Sequence, residues 1–151
     1  ENSEIRRGFL FSCVTGLRWR DVKILTWEDI NLDKRELSIV QAKTDVPISI
    51  PLNETAIALL GAPDKGTVFT LPTANGANKT LKAWVKRAKI EKAITWHCAR
   101  HSYGTNLILT KTDLLTTSKL LGHTTVRHTQ RYVDTAAELK KEAINKLNFE
   151  L

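Results

Sequence analysis

One stretch of the chain breaks the periodicity of everything around it. "LSIV" at 37–40 and "VPISI" at 46–50 alternate or run apolar with β-branched residues, on either side of the polar "QAKTD" at 41–45. Such a pattern demands extended backbone, because successive side chains of a strand point to opposite faces and branched residues pack well on a pleated surface. Residues 36–51 are therefore predicted to form a β-hairpin with Lys43 at its turn. Pro47 lacks the N–H that a ladder needs, which assigns its strand to a sheet edge.

The flanking sequence carries helical spacing instead. Ile5, Phe9, Leu10 and Cys13 mark an amphipathic helix over 3–14, stopped by Thr15-Gly16, and a short helix follows over 18–26. Asn53 caps a short helix to Leu60, "GAPDKG" reads as loop, and "TVFTL" as a brief extended segment. After a "PTANGAN" loop the chain turns helical over 79–90, then near 99–110, 113–121, 125–132 and 135–147. Asp113, Thr124 and Asp134 are the candidate N-caps there, and Gly122 a helix stop. At 151 residues, 42% hydrophobic and 26% charged, this is the size and make-up of one domain with a substantial core. The predicted fold class is α+β, mostly α-helical, with a small antiparallel sheet.

The charge is uneven. The formal net charge is +7, with a sequence pI near 9.6, favouring a polyanionic partner: nucleic acid first, an anionic membrane surface second. Seven cations stand against one acid between Asn78 and His101. On a helix, Lys79, Lys82, Lys86 and Lys89 share one face while Leu81, Trp84, Val85 and Ala88 take the other. Such a face can lie along a phosphate backbone or simply meet water. No run approaches the roughly 20 apolar residues of a membrane span, and no secretion signal is visible, so the expected location is cytoplasmic. Cys13 and Cys98 are expected as reduced thiols rather than a disulfide, Cys98 as a small buried filler. The opening "ENSEIRRGFLF", without Met and already helical, predicts a piece of a longer chain.

"TWHCARHSY" at 95–103 concentrates the chemistry, since on a helix His97, Arg100 and His101 project from one face. A zinc site of the H-E-x-x-H kind needs a Glu within the motif, whereas this one holds Cys98 and a cation that repels a divalent ion. Metal is therefore not expected. His101 is assigned an inward, structural contact. Tyr103 falls on a helix that looks buried and is assigned to the core.

Read together with "TGLRWRD", "QAKTD", "LGH" and "TQRY", the stretch resembles the catalytic domain of tyrosine recombinases, the phage-integrase family. The likeness runs from about residue 4 to residue 147. It joins H-x-x-R-H at 97–101, L-G-H at 121–123 and a tyrosine nine residues later, with T-G-L-R and Asp21 far upstream. One departure is Lys111-Thr112 where the family often has glycine at an interhelical turn.

The resemblance implies a DNA strand transferase that needs no metal or nucleotide cofactor. Arg18 and Arg100 would neutralise the non-bridging oxygens of the scissile phosphate, as two planar forks of permanent charge can. His97 would add a donor or assist proton transfer, and His123 a further contact. Tyr132 would attack phosphorus to leave a 3′-phosphotyrosyl link, and Lys43 would protonate the departing 5′-oxygen. Asp21 would hold a helix end or orient a neighbour. The implied partner is duplex DNA, gripped also by Lys79, Lys82, Lys86 and Lys89. The implied assembly is a homotetramer of full-length protomers, joined through a tail in which Leu139, Ala143, Leu147 and Phe149 form an apolar series; the isolated domain would be monomeric. The N-terminal core-binding and arm domains of such proteins have no counterpart in residues 1–151, and the host would be a bacterium, the protein lying on its nucleoid when bound. A type IB topoisomerase and a catalytically silent DNA-binding module are the alternatives.

Overall fold

The structure is a computed structural model that describes residues 3–146. Among the described residues seven α-helices accompany a three-stranded antiparallel sheet: α1 (Ser3–Thr15), α2 (Trp19–Ile24), β1 (Ile30–Asn31), β2 (Glu36–Val40), β3 (Pro47–Pro51), α3 (Glu54–Leu60), α4 (Ala74–Arg87), α5 (Trp96–Leu109), α6 (Leu114–Leu120) and α7 (Arg127–Asn145). The expected hairpin is β2–β3. Leu37 pairs with Ile50 and Ile39 with Ile48 on the inner face, while Ser38 and Ser49 pair on the outer one. The two residues of β1, which carry no strand signal of their own, extend the sheet on the far side of β2. Pro47 lies on the free edge, as its missing N–H requires.

Helix α1 is the internal post of the domain. Its Phe9 meets the rings of Trp84 and Trp96 edge-to-face at 6.2 and 5.7 Å, and Phe11 packs on Phe69 at 5.2 Å. The indole N–H of Trp96 donates to Ser12 Oγ at 2.8 Å, so the one polar atom of that buried ring is satisfied and α5 is keyed to α1. The post ends at Gly16, whose φ of +73° only glycine adopts without strain. A Cβ there would come within 2.8 Å of Tyr103 Cε1 and closer still to Cδ1. Gly16→Ala combines left-handed strain with overpacking, and is expected to cost about 3 kcal/mol in chemical denaturation. A loss below about 1 kcal/mol would mean that Tyr103 moves aside freely. Tyr103 is half-buried, and burial pushes its phenol up to about 12, as expected for a packing residue.

Three expected boundaries are corrected. "PTANGAN" is mostly helix: Thr73 Oγ1 accepts from the Gly76 amide at 3.2 Å and starts α4 at Ala74, so its turn-forming residues are a cap and a first turn. Ala88, assigned to the apolar face, is the exposed C-cap. The expected helices 125–132 and 135–147 are one helix, α7, and neither Thr124 nor Asp134 caps it. Thr129, Tyr132 and Ala136 form one buried stripe running past Asp134, and this continuous packing outweighs a local cap signal. Asp113 does cap α6, accepting from the Thr116 amide at 2.9 Å, and Gly122 ends it at φ +61°. At the turn lacking glycine, Lys111 adopts φ +67° and the Thr112 amide closes onto Leu107 O at 2.9 Å. The cysteines are free and half-buried, and Cys98 Sγ accepts the Thr95 amide at 3.4 Å rather than filling a core void.

Among the described residues no helix is long and apolar enough to cross a membrane. On the exposed side of α7, Leu139 is 41% and Ile144 65% accessible. Leu147 and Phe149 of the expected tail series lie outside the described residues.

Candidate active site

Arg18, Lys43, His97, Arg100, His123 and Tyr132 all line one cavity. Five local devices deliver these six side chains. Arg18 is the residue before α2, presented by the Gly16 turn, and Lys43 rides the exposed turn between β2 and β3. His97 and Arg100 share a face of α5. His123 follows the break at Gly122, and Tyr132 projects from the buried stripe of α7.

Arg100 is 2% exposed. Its guanidinium donates to Gly16 O at 2.8 Å and to Leu121 O, tying the end of α1 to the end of α6. Burial, with Arg18 alongside, lowers its pKa to about 10, so it stays a cation at neutral pH. Arg18 Nη1 is a buried donor with no protein partner. Asp21, fully buried, accepts from the Arg18 amide at 3.2 Å and from the Ala42 amide at 2.9 Å. One carboxylate thus sets the backbone beside both Arg18 and Lys43, matching the holding role expected of it.

Tyr132 is only 3% exposed. Its ring lies parallel to that of His123 at 6.2 Å, and Arg131 sits over it at 5.3 Å. Gly104 makes the room: a Cβ there would come within 2.8 Å of the phenol ring. His123 Nδ1 is held by Thr129 Oγ1 at 2.8 Å, which orients its imidazole.

His101 departs from expectation. It is half-buried, 4.5 Å from the His97 ring and 5.8 Å from the Tyr132 ring, and is contacted by the Arg131 guanidinium. A cation one helix away draws it to the edge of the site instead of the core. Thr44, Arg127, His128 and Arg131 also line the cavity and escaped the sequence reading. The signal for three of them was present in "VRHTQRY", with two arginines and a histidine one, five and four positions before the tyrosine.

Among the described residues the lining holds five permanent cations, three histidines and no carboxylate. The imidazoles register this. Burial first and then the nearby cations, Arg131 foremost for His101 and Arg100 for His123, push both down to about 4 from 6.5, and His97 is lowered by burial and by Arg131. Lowered from 6.5, His97, His101 and His123 are predominantly neutral at pH 7. Between about 4 and 6.5 the unfolded chain binds more protons at His101 and His123 than the folded one, so stability falls as pH drops through that window. Urea midpoints at pH 7.0 and 4.5 measure this. Saturating a short duplex should flatten the dependence, because an anion in the cavity raises the histidines again; an unchanged slope would argue against anion binding there.

Lys79, Lys82 and Lys86 are exposed on α4, whereas Lys89, expected on the same helix face, lies past the helix end at φ +55° because the helix stops at Ala88; none of the four enters this cavity. They border a separate depression that includes Asn78. Asn78 also lines a smaller groove with Arg18, Lys43, His97 and Arg100, so the cavity and the lysine face are connected. Among the described residues no three His, Cys, Asp or Glu side chains gather as a metal ion would need.

A helical domain that brings two arginines, a hairpin lysine, two histidines and a tyrosine to one cationic cavity defines the class to which this chain is to be compared. The phage integrase family model matches residues 3–138, and the chain belongs to that family. It is 27% identical over 87% of its length to the integrase of Escherichia phage P2, of which it covers 38%. It is 31% identical over 78% of its length to the tyrosine recombinase XerD of Listeria monocytogenes, of which it covers 46%. The chain thus spans less than half the length of either relative. Among solved structures it superimposes on the site-specific recombinase XerH bound to its palindromic difH substrate with a TM-score of 0.71, at 20% identity, covering 93% of this chain and 44% of that one. That likeness establishes the fold.

Proposed function

We propose that this domain cleaves and rejoins duplex DNA as the catalytic part of a longer site-specific recombinase. The observation that carries the reading is the convergence of Arg18, Lys43, His97, Arg100, His123 and Tyr132, scattered along the chain, on one cavity that holds no carboxylate among the described residues. A phosphodiester is the anion that such a lining suits, and a phenol on its wall is a nucleophile toward phosphorus. The XerH relative is a DNA complex, which supports the same partner here.

In this reading the Tyr132 oxygen bonds to phosphorus while the bond to the 5′-oxygen breaks. The phenol must lose its proton, and the imidazoles of His97 and His123 on the same cavity can receive one. Arg18 and Arg100 neutralise the charge gathering on the non-bridging oxygens, and the Lys43 ammonium gives a proton to the leaving 5′-oxygen. The 3′-phosphotyrosyl link keeps the bond energy, so another 5′-hydroxyl can attack it and reseal the strand with neither metal nor nucleotide consumed. The lysines of α4 hold flanking phosphates. Four full-length protomers assemble on two duplexes, and the exposed apolar side of α7 serves contact between them.

A nicked suicide substrate tests this. Denaturing gels should reveal a covalent protein–DNA band whose linkage maps to Tyr132 by mass spectrometry. No band from the longer protein would favour a silent DNA-binding module. Site-independent relaxation of supercoils by a monomer would favour a topoisomerase.

A further inference from the structure

The Lys43 side chain hangs from a six-residue turn whose tip is exposed, and an exposed lysine alone has no fixed address. The turn is, however, closed from beneath by Gln41. The Gln41 backbone donates to Val46 O at 2.9 Å and its carbonyl accepts from the Thr44 and Asp45 amides at 3.3 and 2.9 Å. Its side chain is fully buried. Nε2 donates to Leu121 O at 3.2 Å, and Oε1 accepts from Thr44 Oγ1 at 3.1 Å. The orientation is unambiguous, because a backbone carbonyl can only accept and so must face the amide's NH2. Leu121 O is also the acceptor of Arg100, and the next two residues are Gly122 and His123. At Gly122 the contact is so close that a Cβ would meet Gln41 Cδ at 2.8 Å and Ile48 Cγ2 at 2.7 Å.

We infer that Gln41 is a positioning residue for strand cleavage: its buried amide fixes the Lys43 turn against the Leu121 carbonyl that also anchors Arg100, and so sets the reach of Lys43 to the leaving oxygen. This rests on the cleavage reading above. Gln41 does not line the cavity, so it acts only through what it holds. Asp21 pins the Ala42 amide from the other side, which leaves Gln41 as the tie toward α6.

Sulfur in place of the bridging 5′-oxygen separates this role from a general one. Tyr132 still bonds to phosphorus and the P–S bond breaks, but the electron pair leaves as a thiolate, which needs no proton because a thiol has a pKa of only about 8.5. In Gln41→Leu, single-turnover cleavage of the oxygen substrate should fall up to about 100-fold, the penalty of a misplaced group. Cleavage of the 5′-thio substrate should stay within about threefold of the wild type, with duplex affinity unchanged. Equal slowing with both substrates, or no slowing with either, overturns the inference. If Gln41→Leu does not fold, Thr44→Val removes the half of that tie that joins the turn to the Gln41 amide, and a smaller defect, again confined to the oxygen substrate, is expected; a wild-type rate or equal slowing overturns the inference there too. Lys43→Ala is the control. Failure of sulfur to rescue it, or absence of cleavage by the wild type, would count against the cleavage reading itself.

Discussion

Tyr132→Phe will abolish the covalent DNA adduct while leaving duplex binding and the fold close to the wild type. The change removes a single oxygen. The ring that remains still fills the space left by Gly104, still lies parallel to His123 and still carries Arg131 over its face. Packing is therefore retained, and unfolding midpoints should move by less than about 1 kcal/mol in free energy, the scale of one lost hydrogen bond. No second phenol stands on the cavity. Tyr103, the only other tyrosine, is packed against the Gly16 turn and its phenol is pushed up to about 12. A residual adduct above background in Tyr132→Phe would show that another group attacks phosphorus.

Arg100→Lys is expected to lose on two counts at once. The guanidinium spends donors on Gly16 O and Leu121 O and has others left for a ligand in the cavity. A lysine has one nitrogen, which cannot span both carbonyls and a phosphate. Cleavage of the suicide substrate should fall about 10²- to 10³-fold, as when one preorganised donor to a developing oxyanion is removed. Stability should fall by about 1–3 kcal/mol, because a buried carbonyl is left without its partner. Arg18→Lys is the contrasting case: Arg18 Nη1 is a donor without a protein partner, so its replacement should lose activity with little loss of stability. An Arg100→Lys variant within tenfold of the wild type would mean that the two carbonyl contacts, not phosphate neutralisation, are the reason for an arginine there.

Much of this was legible in the chain, and for local reasons. The hairpin was readable because alternation of "LSIV" and "VPISI" is a property of consecutive residues. The caps at Asn53 and Asp113, and the left-handed stops at Gly16 and Gly122, were readable because each depends on one side chain and its neighbours. Errors arose where distant packing overruled such signals. Asp134 looks like an N-cap, yet the helix runs through it because Thr129, Tyr132 and Ala136 share one buried face. His101 looked like a core histidine until Arg131, thirty positions away, was brought against it.

Sequence by itself determined the reagents: which side chains stay charged, which can attack, and which backbone positions must be glycine, since these are intrinsic to each residue and its nearest neighbours. Tertiary structure alone decided that a buried arginine would brace two helix ends, that Gln41 would lie beneath the Lys43 turn, and that five permanent cations would face one cavity with no acid on its wall among the described residues. Those facts join positions tens of residues apart. Only the burial of a common core brings such positions together, and no local pattern encodes it.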